Sequence, residues 1–122
     1  MEPGEKKRVL IVEDDPAVRQ IVRVLLERDG VEVDIAEDGE RATAMLRARP
    51  YAAVLLDLLM PRLDGRGVIA FMKEQSLETP VVVVTAVSDS GDLDPDLVRV
   101  VMQKPFEARE LRKIVSAVLE SL

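Results

Sequence analysis

Five side chains here are of types that could do chemistry together: Glu13, Asp14, Asp57, Thr85 and Lys104. Each stands where a short apolar run ends: R-V-L-I-V, V-L-L, V-V-V-V and V-V-M-Q precede them in turn. Clustered carboxylates repel, and one must protonate unless a cation neutralises them. The chain has no His and no Cys. That removes the commonest metal ligand, the usual general base near neutral pH and any thiol chemistry. A metal would therefore be held by oxygen, which points to Mg²⁺, Ca²⁺ or Mn²⁺. Mg²⁺ is usually held by one or two carboxylates with waters and a phosphate. Lys104 as a point charge and Thr85 as a hydroxyl donor suit a phosphoryl group placed on an acid. A carboxylate can be the nucleophile for that group.

Asp57 is the most informative of the acids. Residues 52–60 are apolar except for it, and the part before it reads as a strand buried on both faces. Burying an unpaired carboxylate there costs several kcal/mol. Asp57 is therefore expected at the strand's end, with a partner. Pro61 stops the strand and Asp64-Gly65 supplies a turn. Open α/β sheets place their chemistry at such strand ends.

The flanking segments supply the frame. Residues 8–12 read as a strand. Asp15 is a good helix N-cap with Pro16 in the first helical position. Val18, Ile21, Val22, Leu25 and Leu26 then follow at helical spacing, and Asp29-Gly30 ends that helix. Residues 31–35 alternate as a one-sided edge strand. Asp38-Gly39 turns the chain into a helix over 40–49, and residues 68–74 form another helix. Residues 81–86 are a second buried strand, 98–103 the last strand and 107–122 the final helix. Residues 87–97 are the weakest part, a short frayed helix or an irregular connection. Alternation of strand and helix predicts a parallel sheet with helices on both faces. Met60, Met72 and Met102 are assigned to the core, and Lys6-Lys7-Arg8 to a solvated lead-in.

Bulk properties agree with one ordinary domain over 1–122, with no output domain in this chain. Aromatics are only 2%, so aliphatic side chains must fill the core. The net charge of −6 argues against direct nucleic-acid binding. No apolar run suits a membrane span or a signal peptide, so a cytoplasmic location is expected.

Together, V-L-I-V-E-D-D, V-L-L-D-L-L-M-P-R-L-D-G, V-V-V-V-T-A and K-P-F, in that order, resemble the receiver domain of bacterial two-component response regulators. The resemblance implies a flavodoxin-like sheet of order 2-1-3-4-5. It makes Asp57 the phosphoacceptor, with Asp14 and Asp57 binding Mg²⁺ directly and Glu13 through water. The Leu59 carbonyl would be the third protein ligand. Thr85 and Lys104 would contact the phosphoryl oxygens, and Lys104-Pro105 would be a cis peptide. The donor would be a histidine kinase or phosphotransfer protein. The output would be altered binding to a downstream protein, with a homodimer left open. Such a chain is no enzyme beyond its own phosphorylation and slow dephosphorylation.

Two features depart from that family's pattern. Val101 stands three residues before the Lys, where an aromatic is usual, and the segment between Thr85 and Lys104 is short. Output is therefore expected from the 87–97 segment by order–disorder, or from another face. Leu59 and Val87 are apolar where relatives can carry a polar group that orients the hydrolytic water, which predicts slow loss of the phosphoryl. Three other functions are weighed against this one. A receiver-like module with constitutive binding would not need all five site residues. An aspartyl-phosphate enzyme of the haloacid dehalogenase type needs an Asp at position 59, where Leu stands. A flavin or nucleotide binder needs a Gly-rich turn after the first strand, where the acids would repel a phosphate.

Overall fold

The computed structural model describes residues 6–87 and 92–121. Five parallel strands form one sheet, β1 (Arg8–Val12), β2 (Glu32–Ala36), β3 (Ala53–Leu56), β4 (Val81–Thr85) and β5 (Val98–Gln103), in the order β2-β1-β3-β4-β5. Four helices join them: α1 (Pro16–Arg28), α2 (Gly39–Ala48), α3 (Gly65–Glu74) and α4 (Ala108–Glu120). The predicted doubly wound α/β fold and strand order are borne out. Among the described residues no helix stands between β4 and β5; residues 92–97 form turns. The expected irregular connection falls partly on residues 88–91, which lie outside the described set.

Strand alternation sorts the side chains into two cores. Val9, Ile11, Leu55 and Val82 face one side with Val22 and Leu26 of α1 and Leu111 and Val115 of α4. Leu10, Val12, Leu56 and Val83 face the other with Leu46 of α2 and Val68 and Met72 of α3. β1, β3 and β4 are thus covered on both faces, which is why they read as unbroken apolar runs. The register between β4 and β5 shifts so that Val81 faces Val98 while Val82 faces Val100, leaving Arg99 as the extra residue of a bulge. Val98 consequently packs into one core and Val100 into the other. Past the bulge Gln103 lies opposite Thr85, which delivers Lys104 to the strand-end edge.

Several local expectations need correction. The strand expected before Asp57 is borne out, Ala53–Leu56 being buried throughout, although Leu59 in the apolar run beyond it is 60% exposed. α3 starts at Gly65 rather than at residue 68. Its N-cap is Asp64, whose side chain accepts from Gly67 N at 3.0 Å. Asp38 caps α2 in the same way, accepting from Arg41 N at 2.8 Å. The three Asp-Gly pairs therefore differ. Gly30 has φ +80° and ends α1 in the left-handed region, whereas Gly39 and Gly65 open helices that touch a neighbouring backbone. Met72 and Met102 are buried, while Met60 is only half-buried at the core's rim. The lead-in is not simply solvated: Arg8 pairs with Asp34 at 2.9 Å and with Glu32, and Lys7 Nζ donates to the Leu119 carbonyl.

Candidate functional site

The parallel sheet brings all C-terminal strand ends to one edge, and four of them supply the candidate residues. Glu13 continues β1, its N–H donating to the Ala36 carbonyl at 3.1 Å. Asp57 continues β3, its N–H donating to the Val12 carbonyl at 3.0 Å. These bonds prolong the ladder by one residue beyond each strand and place both carboxyls at the crevice. Glu13 and Asp57 are buried, 4% and 6% exposed, while Asp14 is exposed.

Glu13, Asp14 and Asp57 each offer an oxygen, and the three oxygens lie within 4.8 Å of one another. Lys104 reaches across from β5: its Nζ is 2.6 Å from Glu13 Oε1 and 3.0 Å from Asp57 Oδ2. The other oxygens of these acids also have donors. Leu59 N donates to Asp57 Oδ1 at 3.1 Å, and Asp15 N to Glu13 Oε2 at 3.2 Å. No buried side-chain polar atom among the described residues lacks a partner.

The electrostatics follow from burial and from the ammonium. Burial pushes the Glu13 carboxyl up; Lys104 and the Asp15 N–H oppose this, and the Asp57 charge adds to it. Burial works against the Lys104 charge, but hydrogen bonds to Glu13 and Asp57 outweigh it and hold the ammonium above its ordinary value. Hard oxygen donors with no sulfur or imidazole fit a hard divalent cation. Glu13, Asp14 and Asp57 could hold one.

Thr85 is fully buried and joins the site through backbone only, its carbonyl accepting from Lys104 N at 2.8 Å. Its hydroxyl accepts from Val87 N at 3.2 Å. The Lys104-Pro105 peptide is cis. The Asp15 side chain caps α1, its Oδ1 accepting from Ala17 N at 2.9 Å.

Three contributors were not read from the sequence. Arg19 of α1 donates through Nη1 to the carbonyls of Glu13 and Asp14, both at 3.1 Å, and so holds the acidic turn. Gly65 lies where a Cβ would stand 2.4 Å from the Asp57 carbonyl oxygen and 2.7 Å from Leu58 Cα. Arg62 pairs with Asp38 at 2.9 Å across the loop after Asp57. Only the four-residue step from the cap Asp15 to Arg19, which turns its side chain back over the helix start, was a usable signal.

Fold and site together define an α/β protein of the doubly wound class with an acid–lysine cluster at its topological switch point. The chain belongs to the response regulator receiver domain family, whose model matches residues 9–116. It is 36% identical over 107 residues to the transcriptional regulatory protein DltR of Streptococcus agalactiae, covering 85% of this chain and 48% of that protein. It is 33% identical over 116 residues to the alkaline phosphatase synthesis regulator PhoP of Bacillus subtilis, covering 93% and 48%. The chain thus spans about half the length of the curated relatives it matches. Among solved structures it resembles response regulator TrrA of Thermotoga maritima, determined in complex with Mg²⁺–BeF. That match has a TM-score of 0.83 and 30% identity over 92% of this chain and 98% of that one. A CheY-like receiver of Methanospirillum hungatei matches with a TM-score of 0.82 and 28% identity, covering 97% and 100%. No helix among the described residues is long and apolar enough to cross a membrane.

Proposed function

We propose that this chain is a phosphorylation-switched signalling receiver whose acceptor is Asp57. The observation that carries the reading is the seating of Asp57. Its carboxylate is buried at a strand end, oxygen to oxygen with Glu13 and Asp14, and 3.0 Å from the Lys104 ammonium. An Asp57 oxygen forms the new O–P bond as the P–N bond to a donor phosphohistidine breaks, and the imidazole nitrogen keeps the electron pair. Catalysis is then positioning and charge neutralisation. Asp14 and Asp57 would hold Mg²⁺ directly, Glu13 through water, and the Leu59 carbonyl would complete the protein ligands. The ion would supply neutralisation of the phosphoryl charge. The Mg²⁺–BeF complex of TrrA supports that assignment.

Lys104 already touches Asp57 and can pass to an oxygen of the bound phosphoryl. Thr85 can turn its hydroxyl toward the same group. Doing so removes the acceptor from Val87 N and disturbs the start of the segment after β4. A pre-existing two-state equilibrium there would be shifted, and with it partner binding. The donor would be a histidine kinase or phosphotransfer protein, the receiver of the signal a downstream protein, and the setting the cytoplasm. Catalysis by the chain itself is limited to gaining and slowly losing its own phosphoryl.

Intact-mass analysis with acetyl phosphate and Mg²⁺ tests this. One phosphoryl should appear on the wild type and none on Asp57→Asn. A label that persists in Asp57→Asn overturns the assignment.

A further inference from the structure

The loop from Asp57 to Asp64 is pinned at both ends within the site. Leu59 N donates to Asp57 Oδ1 at 3.1 Å, and Gly65 N donates to the Leu58 carbonyl at 3.0 Å. Its tip is pinned elsewhere. Arg62 Nη1 lies 2.9 Å from Oδ2 of Asp38, the N-cap of α2. Asp38 is only 7% exposed, and its other oxygen takes Arg41 N. Beside this pair the Leu63 backbone sits against Gly39, where a Cβ would stand 1.9 Å from the Leu63 carbonyl oxygen. One carboxylate thus starts α2 and grips the loop that carries Leu59.

The backbone of Arg62 is the second observation. It holds φ +69°, a left-handed conformation that residues other than glycine adopt at a cost and keep only when their surroundings enforce it. Glycine would take it freely. The Arg62 side chain is also 68% exposed, and ion pairs with an exposed partner add little to stability. A strained backbone and a weakly stabilising pair make poor sense as scaffolding. They make sense as a device that fixes position.

We infer that Asp38 and Arg62 are positioning residues for the metal site. Their pair holds the 57–64 loop in the shape that sets how Asp57 and the Leu59 backbone are offered to a cation. This inference rests on reading Glu13, Asp14 and Asp57 as a Mg²⁺ site. A loop ordered before the ion arrives has less freedom to lose when it binds. Groups that orient metal ligands from behind commonly change affinity by about 10- to 100-fold.

The test is Mg²⁺ titration calorimetry on the unphosphorylated full chain. Asp38→Asn keeps a good N-cap but removes the charge. Arg62→Gly removes the guanidinium and relieves the φ strain. Each should weaken Mg²⁺ binding about tenfold, and the double variant should be no weaker than the worse single. Arg62→Lys should recover part of the loss. Metal-free Arg62→Gly should melt no lower than the wild type, while its amides over 58–63 exchange faster. Wild-type affinity in both single variants, or losses that add in the double, overturns the inference while leaving the metal site intact. A wild type that binds no Mg²⁺, or binds it no better than Asp57→Asn, overturns the metal site and this inference together.

Discussion

The ammonium of Lys104 lies 2.6 Å from a carboxylate oxygen of Glu13, 91 residues earlier in the chain. The same nitrogen reaches Asp57, so one cation bridges the two buried acids of the site. Three elements, β1, β3 and β5, are thereby tied at their C-terminal ends by charge.

Removing that cation should leave two buried carboxylates facing each other. Lys104→Met is expected to cost about 2 kcal/mol in metal-free protein, since breaking one side of a buried pair strands the other and partial exposure softens the loss. Mg²⁺ should stabilise this variant more than the wild type, because the ion becomes the main neutralising charge. Thermal melts with and without Mg²⁺ read both effects; an equal Mg²⁺ shift in the two proteins would exclude the bridge as the resting counter-charge. Transfer of phosphoryl from acetyl phosphate should also slow in Lys104→Met.

Leu59 is 60% exposed, so replacing it leaves the core untouched. Wild-type phosphoprotein is expected to lose its label slowly, and Leu59→Asn faster, because a carboxamide there can orient an attacking water. Timed mass spectrometry after removal of the donor measures the two decays. A wild type that decays much faster than Leu59→Asn contradicts the expectation.

Gly65 and Gly67 should respond differently to alanine. At Gly65 the new Cβ meets the Asp57 carbonyl oxygen at 2.4 Å and Leu58 Cα at 2.7 Å, backbone that must move. A cost of about 1–3 kcal/mol is expected, as for overpacking, with weaker Mg²⁺ binding as Asp57 shifts. At Gly67 the nearest atom is Leu63 Cδ1, the end of a flexible side chain. The gain in helix propensity, about 1 kcal/mol, should offset its displacement. Urea unfolding of the two variants decides; equal destabilisation would show that the contact at Asp57 carries no special weight.

Tyr51 gives a pH signal of its own. It is the one tyrosine, and there is no tryptophan. Its hydroxyl donates to Asp34 Oδ2 at 2.7 Å; burial first, then the Asp34 hydrogen bond and charge, push it up to about 12. The folded value exceeds the unfolded one, so the contribution is full below about pH 10 and fades as pH rises toward 12. Ultraviolet titration should show the phenolate appearing near pH 12 in native protein and about pH 10 in urea. Burial favours neutral Asp34, but Tyr51, Arg8 and Arg49 outweigh it and hold the carboxyl below its ordinary value. Tyr51→Phe should cost about 1 kcal/mol at neutral pH. That cost should shrink as pH falls through the Asp34 titration, where this acid's contribution is lost.

The sequence by itself determined the order of strands and helices and placed five candidate residues at strand ends. Both are local signals. An apolar run buried on two faces cannot contain an acid, so the acid marks the run's end, and parallel pairing puts every such end on one edge. Tertiary structure alone decided which of those groups touch. Lys104 meets Glu13 and Asp57 because a bulge at Arg99 sets the register of β5, whereas the Thr85 hydroxyl is turned to Val87 N. The Asp38–Arg62 pair and the close approach of Gly39 to the Leu63 backbone join segments whose separation in space no local pattern encodes. The pairs Asp38-Gly39 and Asp64-Gly65 read as turns for that reason. Their glycines answer to a neighbouring backbone, and only the packed fold brings that neighbour near.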